Sequence, residues 1–188
     1  NIFGNPKYSK LLTKRPNAPG KERGAKQRGK TSVYGEQLKE KQKFRLAYGM
    51  SEKQFRNLFA RAQRMEGITS DNMLSLMEQR FDNTIFRMGF AVSRAQARQM
   101  VSHAYFLING KPANIPSMRI KKNDVITTKD KKGIQNLIRH NLSAMQGSKG
   151  SWLSINDENL SATVTALPTA ADIQPVGNIQ YVVEFYSR

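Results

Sequence analysis

Arg94 and Arg98 stand four residues apart just after Ser93, a residue type that starts helices. They therefore share one helix face, opposite Ala97 and Val101. Two guanidinium groups at this spacing suit phosphate binding rather than catalysis. Arg94 falls in the first helical turn, where a cation meets the positive end of the helix dipole. A phosphate shared between the guanidinium and the free N–H groups of the helix start would resolve that conflict. Arg80, Arg87, His103, Asn109, Lys111 and Asn114 fall in the same stretch. From Arg80 to Asp124 there are eight Lys or Arg and two acidic residues. Positive charge at ordered places predicts a nucleic-acid backbone as partner. Plainer alternatives stand beside this reading. A solvated helix face accounts for Arg94 and Arg98, a helix C-terminal cap for His103, and a turn for Asn109. Arg119, Lys121 and Lys122 fit a charged edge strand that deters sheet aggregation.

Catalytic arrangements are missing from the sequence. It has no Cys, which excludes disulfides and thiolate zinc sites and fits a reducing compartment. The two histidines, His103 and His140, lack an acidic pair at metal-ligand spacing. No GxGxxG phosphate loop occurs, and the 14 acidic residues are scattered. No enzyme activity, metal, cofactor or small-molecule substrate is expected. No apolar run reaches the roughly 18–20 residues of a spanning helix, so no membrane association is expected.

The elements that must position these residues can be read from periodicity. Residues 34–48 predict a helix with Leu38, Phe44, Leu46 and Tyr48 on a narrow apolar face, ended by Gly49. Lys39, Lys41, Lys43 and Arg45 crowd the remainder. Ser51 and Gln54 form a capping box, and Phe55, Leu58, Phe59, Ala62 and Met65 recur at helical spacing. A third helix starts near Ser70, with Met73, Leu74 and Met77 inward. A short helix over about 80–88 closes at Gly89, and Ser93 with Gln96 predicts a second capping box. Two strands at 105–108 and 111–115 flank Asn109-Gly110, a strong hairpin signal because both turn residues accept positive φ. A strand is predicted at 125–128, then a helix ending near Met145, a linker at 147–151, and strands at 152–155, 160–166 and 181–186.

Charge is uneven along the 188 residues, whose net charge is +17. Residues 1–50 carry 13 Lys and Arg against 3 acidic residues, whereas residues 51–78 balance at 4 against 4. Residues 79–122 return to 8 against 1, and residues 151–188 are acidic at 1 against 4. Nucleic acid leads as the partner, ahead of an anionic membrane surface. Residues 1–33, broken by Pro6, Pro16, Pro19 and four glycines, predict an irregular basic arm with little to bury.

The segment RFDNTIFRMGFAVSRAQARQMVSHAYFLINGKPANIPS, within residues 80–126, resembles a small RNA-binding module. Bacterial small-subunit ribosomal protein four, pseudouridine synthases and tyrosyl-tRNA synthetases carry that module. The flanks choose among them. YGEQLKEKQKFRLAYGMSEKQFRNLF (34–59) and VVEFYSR (182–188) resemble the ribosomal protein four family, and modification enzymes would need a catalytic domain that no residues remain to build. The resemblance implies an α+β class: a mainly helical body from 34–78 plus 148–188, with an inserted module at 79–147 whose helices pack on a short antiparallel sheet. A basic extended arm at 1–33 precedes them. It also implies a primary binder of 16S-type ribosomal RNA that nucleates assembly of the small-subunit body in the cytoplasmic ribosome. With ribosomal proteins five and twelve, such a protein affects translational accuracy, and it contacts protein five. RNA contacts would fall on Arg80, Arg87, Arg94, Arg98, His103, Asn109, Lys111 and Asn114 in the module, and on Lys39, Lys41, Lys43 and Arg45 in the first basic helix. Lys26, Arg28 and Lys30 would lie near the channel through which messenger RNA enters. Several relatives bind zinc through an N-terminal cysteine cluster, which this chain lacks. The alternatives are an RNA-binding fragment of a modifying enzyme and a stand-alone stress-response RNA binder with the same module.

Overall fold

Two separately buried clusters of apolar side chains organise the chain in the computed structural model, which describes residues 6–16, 32–144 and 149–188. The first cluster belongs to a helical body. A short helix α1 (Pro6–Lys14) precedes it, followed by α2 (Val33–Ala47), α3 (Glu52–Gln63) and α4 (Thr69–Glu78). Ser51 caps α3 in a complete capping box with Gln54, as its sequence predicts. Phe44, Phe55, Phe59, Ala62, Met73, Leu74 and Met77 fill the body's core. The apolar face read for α2 is only partly right. Leu46 is exposed, while Gln37 and Lys41 are buried with Phe44 and Ala47. Met65 is also exposed. The expected irregular arm is corrected at its start, where α1 is helical with Pro6 at its first position.

The second cluster belongs to the module. Helix α5 (Phe81–Arg87) ends at Gly89, whose φ of +81° takes the left-handed conformation that glycine tolerates. Helix α6 (Arg94–Ser102) starts at Ser93, whose hydroxyl accepts from the Gln96 N–H. The predicted box is half built, because the Gln96 side chain accepts from Val92 instead. Strands β1 (Phe106–Ile108) and β2 (Lys111–Ala113) form the expected hairpin across Asn109 and Gly110, at φ +50° and +76°. Strand β3 (Val125–Thr128) pairs antiparallel with β1, and α7 (Lys132–Ala144) follows. Strands β4 (Leu153–Asn156) and β5 (Ser161–Val164) complete an antiparallel sheet of order β2-β1-β3-β5-β4.

That order redraws the expected boundary at residue 148. Trp152, Leu153, Leu160, Ala162 and Val164 are buried with Phe81, Phe90, Phe106 and Ile126, so residues 152–164 pack with the module and not with the helical body. The body instead takes Ile173 and Val182. The segment expected as a strand at 181–186 is helix α8 (Ile179–Tyr186), capped by Asn178. Ile179, Val182, Val183 and Tyr186 fall at helical spacing against the body core. Tyr186 lies over Phe59 at a ring separation of 5.0 Å and donates to Glu52 at 2.7 Å. No helix among the described residues is long and apolar enough to cross a membrane.

Candidate nucleic-acid interface

The seam between body and module is built on a buried carboxylate. Glu78, at the end of α4, is fully buried. Arg87 closes on it with two hydrogen bonds of 2.7 and 2.9 Å. The Tyr48 hydroxyl and the Asn83 side-chain amide each donate to it at 2.7 Å. Arg94 approaches to 3.7 Å, donates to the Asn83 carbonyl at 2.7 Å, and lies between the Tyr48 and Phe86 rings, 4.6 and 4.7 Å from their centroids. Burial would raise the Glu78 carboxyl, but the hydrogen bond and charge of Arg87, the Tyr48 hydroxyl and the Arg94 charge outweigh it. They hold it below its ordinary value. Burial first, then the Glu78 charge, pushes the Tyr48 phenol above its ordinary value.

The structure therefore corrects several residues read as a free phosphate-binding surface. Arg87 and Arg94 have side chains only 16 % exposed and serve Glu78. Arg80 is buried and holds Asp82 in a two-point pair at 3.0 and 2.7 Å. Lys41 is buried as well, 2.8 Å from Glu52 and 4.8 Å above the Phe185 ring. A buried cation needs such a partner, which removes it from the solvent-facing set. Asn109 is exposed, yet its side chain donates to Asp124 at 2.9 Å and accepts from the Val125 N–H at 2.9 Å. It pins the hairpin to β3.

The remaining expected residues stay accessible. Arg98 is half exposed, donates to the Gly49 carbonyl at 3.0 Å, and lies 3.7 Å from Asp82. Its place beside the end of α2 brings the basic face of α6 against the basic helix of the body. His103 is the C-terminal cap residue of α6, is exposed, and stacks on Tyr105 at 5.8 Å. Lys111, Asn114 and Lys39 are exposed. Lys43 and Arg45 are partly exposed, with Glu40 beside the first, and Gln42 and Glu52 beside the second. Lys26, Arg28 and Lys30 lie outside the described residues.

Two arginines that sequence reasoning did not place in the site stand out. Arg119, read as part of an edge strand, forms a single antiparallel bridge with Arg80. Phe81 donates to Met118 and Ile120 to Gln79 on either side of that bridge. Arg61, exposed on α3, meets both across a cavity of about 340 Å³. Nothing in the spacing of residues 61 and 119 marks them as neighbours, since their meeting depends on how body and module dock.

Comparison with known proteins gives a consistent pattern. Residues 1–78 match the Ribosomal protein S4/S9 N-terminal domain family, and residues 79–126 match the S4 domain family. The chain is 76 % identical over 188 residues to the small ribosomal subunit protein uS4 of Treponema denticola, covering all of this chain and 91 % of that protein. It is 73 % identical to uS4 of Treponema pallidum strain Nichols, covering all of this chain and 92 % of that protein. It is 43 % identical over 190 residues to uS4 of Borrelia hermsii, covering all of this chain and 91 % of that protein.

Proposed function

Because the chain belongs to the family of small ribosomal subunit protein uS4, we propose that its exposed basic face is the surface that grips ribosomal RNA. The protein is a structural, RNA-binding constituent of the small subunit of the cytoplasmic ribosome, and not an enzyme. The alternatives of a modifying-enzyme fragment and a stress-response binder are not favoured, since the likeness to uS4 runs over the whole chain. The observation that carries the reading of the surface is the division of labour among its cations. Arg87 and Arg94 are consumed by the buried Glu78 and hold the module against the body, while Arg80 is paired with Asp82 inside the module and Lys41 with Glu52 inside the body. Arg98, His103, Lys111, Asn114 and Lys39 stay accessible, with Lys43 and Arg45 partly so, and these contact RNA.

Double-stranded RNA hides its base edges in a deep, narrow major groove, so a rigid surface reads its shape and phosphates. A seam locked by Glu78 fixes the spacing between cations of the body and cations of the module. That spacing suits RNA helices meeting at a junction. Early binding there nucleates assembly of the subunit body. Contact with ribosomal protein five, a joint influence with protein twelve on accuracy, and contact of Lys26, Arg28 and Lys30 with messenger RNA belong to the same proposal. They rest on the family resemblance. Co-sedimentation with small subunits through high-salt washing tests the assignment, with retention expected. Release into the free pool at moderate salt would count against it.

A further inference from the structure

Arg80 and Arg119 face one another across an antiparallel bridge, an arrangement in which like charges directly opposite repel. Arg61 of α3 adds a third positive charge from the body side. Asp82 answers only part of this charge, since it is already held by Arg80 at 2.7 Å and approached by Arg98 at 3.7 Å. No carboxylate lines the cavity between them, whose other walls include Gln54, Asn57 and Ser117. The Arg119 Nη1 is buried and has no hydrogen-bond partner among the described residues. A buried guanidinium nitrogen without an acceptor is costly, and a folded chain rarely leaves one so. Burial, then the Arg61 and Arg80 charges, pulls the Arg119 guanidinium below its ordinary value.

We propose that this cavity, lined by Arg61, Arg80 and Arg119 at the seam of body and module, is a binding site for one backbone phosphate of the ribosomal RNA. A phosphate oxygen supplies the acceptor that Arg119 Nη1 lacks, and its charge relieves the repulsion across the bridge. Arg61 and Arg119 are the direct ligands, while Arg80, already paired, adds field and not a hydrogen bond. The cavity of about 340 Å³ has room for a phosphate alone or with part of its sugar. Asn57, Gln54 and Ser117 offer neutral donors at the rim. A phosphate seated there touches α3 on one side and the bridge on the other, so RNA binding clamps the two halves together. The owner of the phosphate rests on the RNA-binding reading above; the anion site itself rests on the cavity.

The full chain is compared with Arg119→Met and Arg61→Met, variants that keep bulk and remove charge. Each is measured by thermal melting with and without inorganic phosphate, and by binding to transcribed small-subunit ribosomal RNA across a salt series. Melting of the RNA-free Arg119→Met protein is expected to be unchanged or raised, because repulsion is removed. Its affinity for the RNA is expected to fall about tenfold. The slope of log affinity against log salt is expected to shrink by about 1. Inorganic phosphate is expected to raise the melting temperature of the parent and not of the variants. If the variants bind the RNA with parental affinity and slope, the proposal is overturned while the RNA-binding reading stands. If phosphate stabilises the parent but the RNA results are parental, the cavity serves free phosphate and its assignment to RNA is wrong. If the parent itself fails to bind the RNA, the broader reading falls and takes the RNA assignment with it. If Arg119→Met melts well below the parent, Arg119 is structural and the proposal is overturned.

Discussion

The Tyr48 hydroxyl donates to Glu78 Oε1 at 2.7 Å, joining the end of α2 to the end of α4 beneath the Arg94 guanidinium. The same carboxylate holds Arg87 from the module, so one acidic side chain serves both halves of the protein. Four donors around one buried acceptor satisfy it more fully than any of the surface pairs, which are screened by solvent and contribute little.

Glu78→Gln removes the charge that Arg87 and Arg94 answer and leaves two cations in a poorly solvated place. The expected loss is about 3–5 kcal/mol of folding stability. Tyr48→Phe deletes one charge-assisted hydrogen bond and is expected to cost about 1.5–3 kcal/mol. Urea denaturation of both variants checks the order, and Glu78→Gln must be the more damaging.

The same pair sets both ends of the pH profile. Glu78 has a folded value below its ordinary 4.5. Its contribution is fully present above that value and is lost as pH falls through the folded one. Tyr48 has a folded value above its ordinary 10.0. From about pH 10 upward the unfolded chain releases the phenolic proton first, so stability declines with rising pH. Melting temperatures between pH 3 and pH 11 are expected to fall at both ends. Glu78→Gln flattens the acid limb, and Tyr48→Phe weakens the alkaline limb, to which Tyr186 also contributes.

Arg94 and Lys111 separate positioning from contact. Arg94→Met loses the Asn83 bond and the stacking between Tyr48 and Phe86, and is expected to lower the melting temperature of the free protein. Lys111→Met is expected to leave melting unchanged and to weaken binding to small-subunit ribosomal RNA, reducing the salt slope by about 1. The parent affinity is expected to fall about 10³–10⁵-fold between 50 and 200 mM salt if six to ten phosphates are neutralised. A flat salt response would remove the phosphate-grip reading altogether.

Asn109 tests the hairpin. Its φ of +50° costs a side-chain-bearing residue roughly 1–2 kcal/mol unless local hydrogen bonds repay the strain. Asn109→Gly relieves the strain and loses the bonds to Asp124 and Val125, whereas Asn109→Ala keeps the strain and loses the same bonds. Alanine is expected to be the worse by about 1 kcal/mol on chemical denaturation.

Local chemistry made much of the fold legible. The capping box at Ser51, the Asn109-Gly110 hairpin and the apolar stripe through Phe55, Leu58, Phe59 and Ala62 each encode their structure within a few residues. Residues 179–186 did not yield so simply. Tyr181, Val182, Val183, Phe185 and Tyr186 favour strands by type, yet β-propensity is mostly a statement about surroundings. The decisive pattern was Ile179, Val182, Val183 and Tyr186 at helical spacing, which the body core rewards. The cations were harder. A mostly covered Arg94 and an exposed Lys111 look alike in sequence, because only the docking of body on module brings Glu78 and Tyr48 to the first. Arg61 and Arg119 meet for the same non-local reason.

The packing of α8 has a consequence for how the protein is made. Helices α2 to α4 are synthesised before the module, but their core is closed by Ile173 and Val182. At about 5–20 residues per second, roughly 5–20 s separate the emergence of Glu78 from that of Ile179. In that interval the five-stranded sheet can finish while the body still lacks a wall. The helical body thus leaves the synthesising ribosome ahead of the module and reaches its native form after it. The nascent body exposes Phe44, Phe55 and Phe59 until the closing helix arrives.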